Sequence, residues 1–239
     1  MLLWLIILFA AVIQGLAGIG GALVATPLMA LVVDPQSAII LFVPSQVAIS
    51  IWSAHKARRE VNWREIRPIL IMGAVGVIIG DRLLNTLEIR LIQVLLGVAV
   101  VAFAADMLFR ELKRVRALAP RWPAGVSWVG GLVVGGILGL LGTAGPPLVI
   151  LLAHRPLNAF QVRAGVVMVL ALLSTWRLGT YLISGTLSGM LQIQSLSLVP
   201  ASVAGAILGV WLLPRIAERQ LRLAVTGILF LAGALALVG

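Results

Sequence analysis

Gly139-Leu140-Leu141-Gly142-Thr143-Ala144-Gly145-Pro146-Pro147 breaks into an apolar run that extends over residues 125–153. An earlier stretch, Gly15-Leu16-Ala17-Gly18-Ile19-Gly20-Gly21 with Pro27 beyond it, breaks into the apolar run over residues 1–33 in the same way. Each run is longer than the roughly 20 residues that one helical span needs, and each carries helix-weakening residues near its middle. Aligned on their glycines, Gly15, Gly18 and Gly21 fall on Gly139, Gly142 and Gly145; with a small change of register, Pro35 and Ala38 fall on Pro156 and Ala159. Further on, Gly76 and Gly80 fall on Gly205 and Gly209, each pair followed by a double leucine, Leu83-Leu84 and Leu212-Leu213. Such self-similarity reads as an internal duplication. It divides the chain into a first repeat at 1–110, a basic linker at 111–124 and a second repeat at 125–239.

The remaining apolar runs, 36–55, 66–84, 87–109, 157–184, 188–213 and 219–239, bring each half to four. Composition agrees, since 61% of the 239 residues are hydrophobic, 11% are charged and the mean hydropathy is +1.13. A soluble domain of this size could not cover that much apolar surface, so the chain is predicted to be an all-α integral membrane protein. Met1 to Ile13 lacks a basic leading region and a following cleavage site, so it is not read as a signal peptide. The absence of Cys removes disulfides, thiolate catalysis and Cys-ligated metal, and His55 and His154 stand too far apart for a helical metal motif. Neither a metal nor a cofactor is expected.

Lys and Arg number 18 against eight acidic residues, a net charge of +10. In a soluble protein that excess would suggest nucleic acid, but here it lies in short loops and reads as a topology signal, with the lipid bilayer as the partner. Lys56, Arg58, Arg59, Arg64 and Arg67 surround the second loop, and Arg110, Lys113, Arg114, Arg116 and Arg121 fill the linker, so both are predicted to be cytoplasmic. A single crossing by the fifth run would put Arg155, Arg163, Arg215, Arg219 and Arg222 outside. A re-entrant hairpin at the Gly-Pro break would return them to the cytoplasmic side. Each repeat then becomes one broken, re-entrant segment plus three transmembrane helices, and an odd number of crossings inverts the second repeat relative to the first. Eight plain crossings in parallel halves is the alternative.

Irregular backbone at membrane depth is tolerated only where protein or a wet cavity receives it. Two matched breaks therefore face an interior, and half-helices ending there present N–H groups and positive dipole ends, an arrangement suited to an anion. The backbone of Gly18, Gly20, Gly21, Gly142, Thr143 and Gly145 is predicted to surround one substrate site, with Gln46 and Thr175 as hydrogen-bond donors. Arg177, an arginine inside an apolar run, must face the site or its vestibule, or snorkel to the nearer surface with Trp176 and Tyr181 as interfacial anchors. Arg163, nearer a run end, either snorkels or gates the cytoplasmic side. Asp81 and Glu88 lie at run ends and are read as interfacial, and Asp106 is four residues from Arg110, a spacing that permits a helix-face pair. Gly76, Gly80, Gly131, Gly135, Gly205 and Gly209 read as close-packing glycines.

The duplicated Gly-rich openings, the basic loop leading into Val61-Asn62-Trp63, the Gly73-x-x-Gly76-x-x-x-Gly80 helix and the closing Pro200-Ala201 with Gly205 and Gly209 together resemble the sulfite exporter TauE/SafE family, also described as toluene-sulfonate uptake permeases. The resemblance covers essentially the whole chain. Where many members carry a fuller glycine run, this chain has Thr143-Ala144-Gly145-Pro146-Pro147. The resemblance implies a secondary transporter that moves a small sulfur-containing anion, such as sulfite, sulfoacetate or a related organosulfonate, outward across the bacterial inner membrane. An anion channel, or a uniporter for another small oxyanion or carboxylate, is the alternative. An intramembrane enzyme would need paired carboxylates, metal ligands or a nucleophile with its base, and the scattered carboxylates do not supply them.

Overall fold

The computed structural model describes residues 1–17, 21–113, 122, 123, 125–212, 226, 227, 230, 231 and 233. Among these the chain is helical, with no strand, and the α-helices follow one another as α1 (Leu2–Ala17), α2 (Gly21–Ala30), α3 (Pro35–Ala57), α4 (Trp63–Thr86), α5 (Ile89–Lys113), α6 (Val126–Leu141), α7 (Gly145–Ala153), α8 (Ala159–Ser184) and α9 (Gly189–Leu212). Five of them, α3, α4, α5, α8 and α9, are long and apolar enough to cross a membrane. This is a multi-pass membrane protein. Gly18 and Gly20, most of the linker and the eighth apolar run, with Arg215, Arg219 and Arg222, lie outside the described residues.

Local chemistry sets the helix ends. α6 stops at Gly142, whose φ of 75° is left-handed and whose N–H donates to Leu138 O at 2.9 Å, a conformation that costs a side-chain-bearing residue far more than glycine. α7 restarts at Gly145 with Pro146 and Pro147 in its first turn, where their missing N–H groups remove no helix bond. The Asp34 carboxylate accepts from Ser37 N at 2.8 Å to cap α3, and Asn158 and Gln161 form a reciprocal capping box on α8.

The two ends of the α6–α7 segment meet. Trp122 N donates to His154 O at 3.1 Å, and the two rings stack with centroids 3.9 Å apart. Arg155 Nε bonds Glu65 Oε2 at 2.6 Å, which brings the start of α4 to the same face. At the opposite face Gln36 Nε2 donates to Asn85 Oδ1 at 3.0 Å, joining the start of α3 to the end of α4. There Leu84, Ile92, Tyr181 and Leu187 pack in one apolar cluster, so the end of α8 lies beside the end of α4. Lys56, Arg58, Arg59, Arg64 and Arg155 make the first of these two faces the basic face.

Glycines bring two pairs of helices into backbone contact. A Cβ added to Gly80 on α4 would stand 2.9 Å from the Gly139 Cα on α6, and one added to Gly209 on α9 would stand 2.9 Å from the Gly15 Cα on α1. Gly76 lies against the Leu132 and Gly136 backbone, Gly135 against Gly73, and Gly205 against Leu8. The close-packing expectation for these residues holds, and no side chain fits between the helices. The helix α2 is buried from Gly21 through Pro27, so its first two turns are surrounded by protein rather than lipid. Large apolar side chains such as Ile71, Ile78, Val98, Ile193 and Trp211 cover the outside.

Candidate functional site

The two half-helices begin at one place. Gly21 and Ala22 from the first turn of α2, and Thr143, Ala144 and Gly145 at the start of α7, line a cavity of about 30 Å³ together with Gln14 of α1 and Gln46, Ser50 and Ser53 of α3. Gln46, Ser50 and Ser53 are spaced so that one face of α3 points all three inward. Val167 and Leu170 of α8 close the apolar side. First-turn N–H groups have no partner within their own helix, which makes a helix start a source of donors and positive potential. Gly145 leaves this wall bare, since a Cβ there would meet nothing within 4 Å. The cavity volume suits ordered water or the core of a small ion rather than a cofactor.

A wider vestibule of about 340 Å³ continues from the cavity, sharing Gln14, Ser53 and Val167 with it. It is lined towards the basic face by Trp52, Lys56, Glu60, Phe160 and Arg163. Lys56 Nζ rests 3.8 Å from the Trp52 ring centroid, a cation–π contact that holds the ammonium at the mouth. The cavity is thus reached from the basic face.

Towards the opposite face the interior is crossed by a charged cluster. Arg177 is fully buried; its Nε donates to Asp81 Oδ1 at 2.9 Å, and its Nη2 donates to Tyr181 Oη at 2.6 Å and to the Gly139 carbonyl. Thr180 Oγ1 donates to the second Asp81 oxygen at 3.1 Å. The cluster ties α8 to α4 and to the last turn of α6. A buried arginine needs such partners, and this corrects two expectations. Arg177 does not snorkel, because its cation is neutralised where it stands. Asp81 and Tyr181 do not face the surroundings at a run end, because both are buried in the bundle as the neutralising and accepting groups of Arg177.

The candidate residues divide accordingly. Gly21, Gln46, Thr143 and Gly145 come together at the cavity. Gly142 sits at the bend behind it, between Thr143 and Arg177, and Gly18 and Gly20 lie outside the described residues. Thr175 is turned away: it is exposed on the outer side of α8 and its hydroxyl donates to Ala171 O at 2.8 Å. Its neighbour Ser174 is the inward residue, with a buried hydroxyl that has no partner. Arg163 lines the vestibule. Gln14, Ser50 and Ser53 were missed, although the 46/50/53 spacing is visible in the sequence and Gln14 is the lone polar side chain in the run before the first break. Among the described residues no three His, Asp or Glu side chains gather as a metal site requires.

The family model for the sulfite exporter TauE/SafE matches residues 3–236. A probable sulfite/organosulfonate exporter TauE from Cupriavidus necator is 28% identical over 179 residues, covering 74% of this chain and 68% of the relative. A probable inner membrane transporter protein TsaS from Comamonas testosteroni is 30% identical over 178 residues, covering 73% of this chain and 72% of the relative. No solved structure matches the chain.

Proposed function

The chain belongs to the sulfite exporter TauE/SafE family, and on that premise we propose that it is a secondary transporter moving a small sulfur-containing anion, sulfite or an organosulfonate, across the inner membrane at the cavity between α2 and α7. The observation that carries this reading is the meeting of two half-helix starts, Gly21-Ala22 and Thr143-Ala144-Gly145, on one cavity that Gln14, Gln46, Ser50 and Ser53 also line inside an apolar bundle. Opposed helix starts hold a monoanion by N–H groups and dipole without a buried lysine, and matched broken segments are where transporter sites form. Gln46, Ser50 and Gln14 add side-chain polarity at the same wall.

The two repeats, 1–110 and 125–239, are inverted in this reading, with 111–124 as a cytoplasmic linker. The stacked ends of the second broken segment and the opposite courses of α4 and α9 implied by their flanking contacts support it. With the basic face cytoplasmic by its lysines and arginines, the vestibule opens inward and loads an anion for export. An inside-negative potential supplies about 2.3 kcal/mol per charge per 100 mV, so export of a monoanion needs no coupling ion.

The test is flux into proteoliposomes of the purified chain, with sulfite, sulfoacetate, sulfate and a carboxylate control. Saturable flux of sulfite or sulfoacetate above the control supports the reading. Flux of all four alike, or single-channel currents, would replace it with a channel.

A further inference from the structure

We propose a second anion position on the far side of the Gly142 bend, made by Thr26 and the unused nitrogen of Arg177, through which the substrate passes between the cavity and the face opposite the basic one. The inference rests on the transporter reading above and adds a residue, Thr26, and a role for Asp81 that this reading does not contain.

Two observations meet there. Arg177 Nη1 and Thr26 Oγ1 are both buried, and neither has a hydrogen-bond partner, although every other nitrogen of Arg177 is engaged. They also flank the same point, lying 3.5 and 3.7 Å from where a Cβ on Gly142 would stand. A buried donor left unpaired is costly, and native interiors rarely keep one without a use. Here two donors from different helices, one cationic, converge on the wall directly behind Thr143, which itself lines the cavity. A guanidinium edge with an adjacent hydroxyl recognises an oxyanion through its planar, multiple N–H donors.

The bend is closed in this conformation, because a Cβ at Gly142 would also meet Ile39 at 3.3 Å. The position therefore belongs to the passage and fills when that wall opens. Its charge balance explains Asp81. Arg177 and Asp81 form a neutral pair at 2.9 Å, so an arriving monoanion shares the guanidinium with a resident carboxylate and is not trapped by a bare cation. Asp81 acts as a built-in competitor that lets the anion leave. The pair also closes the route at rest by tying α8 to α4, with Arg177 bonded to α6 through Gly139.

Thr26→Val separates this role from a structural one. The hydroxyl bonds nothing in the structure, so a packing residue would tolerate an isosteric valine without loss. The expected result is an unchanged melting temperature and folded yield with sulfite flux at least tenfold lower. Asp81→Asn keeps an acceptor for Arg177 Nε and removes the competing charge; compared with the parent at equal amounts of folded protein, since loss of a buried partner lowers stability, it should bind sulfite about tenfold more tightly and turn over more slowly. Thr26→Val at the parent rate, or Asp81→Asn with weaker sulfite binding, overturns the inference while the parent's own flux leaves the transporter reading standing. Absence of any sulfur-anion flux in the parent overturns both.

Discussion

Gly209 on α9 and Gly15 on α1 face each other so closely that a Cβ on the first would stand 2.9 Å from the Cα of the second. Gly80 and Gly139 repeat the relationship on α4 and α6 at the same 2.9 Å. Gly15 therefore packs α1 on α9 at the two ends of the described chain, and Gly139 packs α6 on α4 in its middle. These contacts hold α1 and α6, the helices that precede α2 and α7, against long helices of the bundle.

Gly80→Ala and Gly209→Ala should each destabilise the folded protein by about 1–3 kcal/mol, because overpacking a backbone contact forces the helices apart. Gly179→Ala, where a Cβ meets nothing within 4 Å, is the control. Thermal unfolding in detergent is the measurement, and a control that falls as far as the two contact variants would remove the special role of these contacts.

Arg163→Gln should raise the KM for sulfite roughly three- to tenfold and flatten its dependence on salt, leaving the maximal rate near the parent's, since a vestibule cation concentrates anions without touching them at the inner site. The cavity does not include Arg163. A fall in maximal rate with KM unchanged would place Arg163 at the site itself.

Single cysteines in this Cys-free chain report sidedness. Glu60→Cys and Phe160→Cys should be protected from an impermeant thiol reagent added to intact cells, and Val32→Cys and Ser188→Cys should react; all four positions are exposed. Labelling of position 160 from outside would restore eight plain crossings.

Arg155 joins Glu65 at 2.6 Å and also donates to the Trp122 carbonyl at 3.0 Å, so it pins both ends of the α6–α7 segment to α4. Arg155→Ala should lower the melting temperature by several degrees, an effect of about 1–3 kcal/mol for a partly buried charged pair left open. An unchanged melting temperature would mean that the stacked Trp122 and His154 rings hold the segment alone.

The break at Gly142–Gly145 and the close-packing glycines were legible in the sequence because each is a local event: a residue that weakens a helix or lacks a Cβ. Gln46, which lines the cavity, stands out in the sequence for the same reason, as a long polar residue between Ser45 and Val47 in an apolar run. Asp81 was not. Lying near a run end it looks interfacial, and only the approach of α8 to α4 turns it into the partner of Arg177. Thr175 and Ser174 show the same limit at smaller scale, since neighbouring polar residues on a helix point about 100° apart and the sequence does not say which points inward. Thr26 sits in an apolar half-helix and gains its interest from Gly142 and Arg177, both over 100 residues away.

Sulfite flux by Gly145→Leu, set against Gly145→Ala and the parent at equal folded amounts in proteoliposomes, measures the cavity's role most directly. Gly145 lines the cavity, and a Cβ there meets nothing within 4 Å. Leucine should therefore fill the space with little effect on folding, while alanine leaves most of it open. The account predicts flux abolished by leucine and reduced only a few-fold by alanine. Normal sulfite flux by the leucine variant would contradict it and move the pathway away from the meeting of α2 and α7.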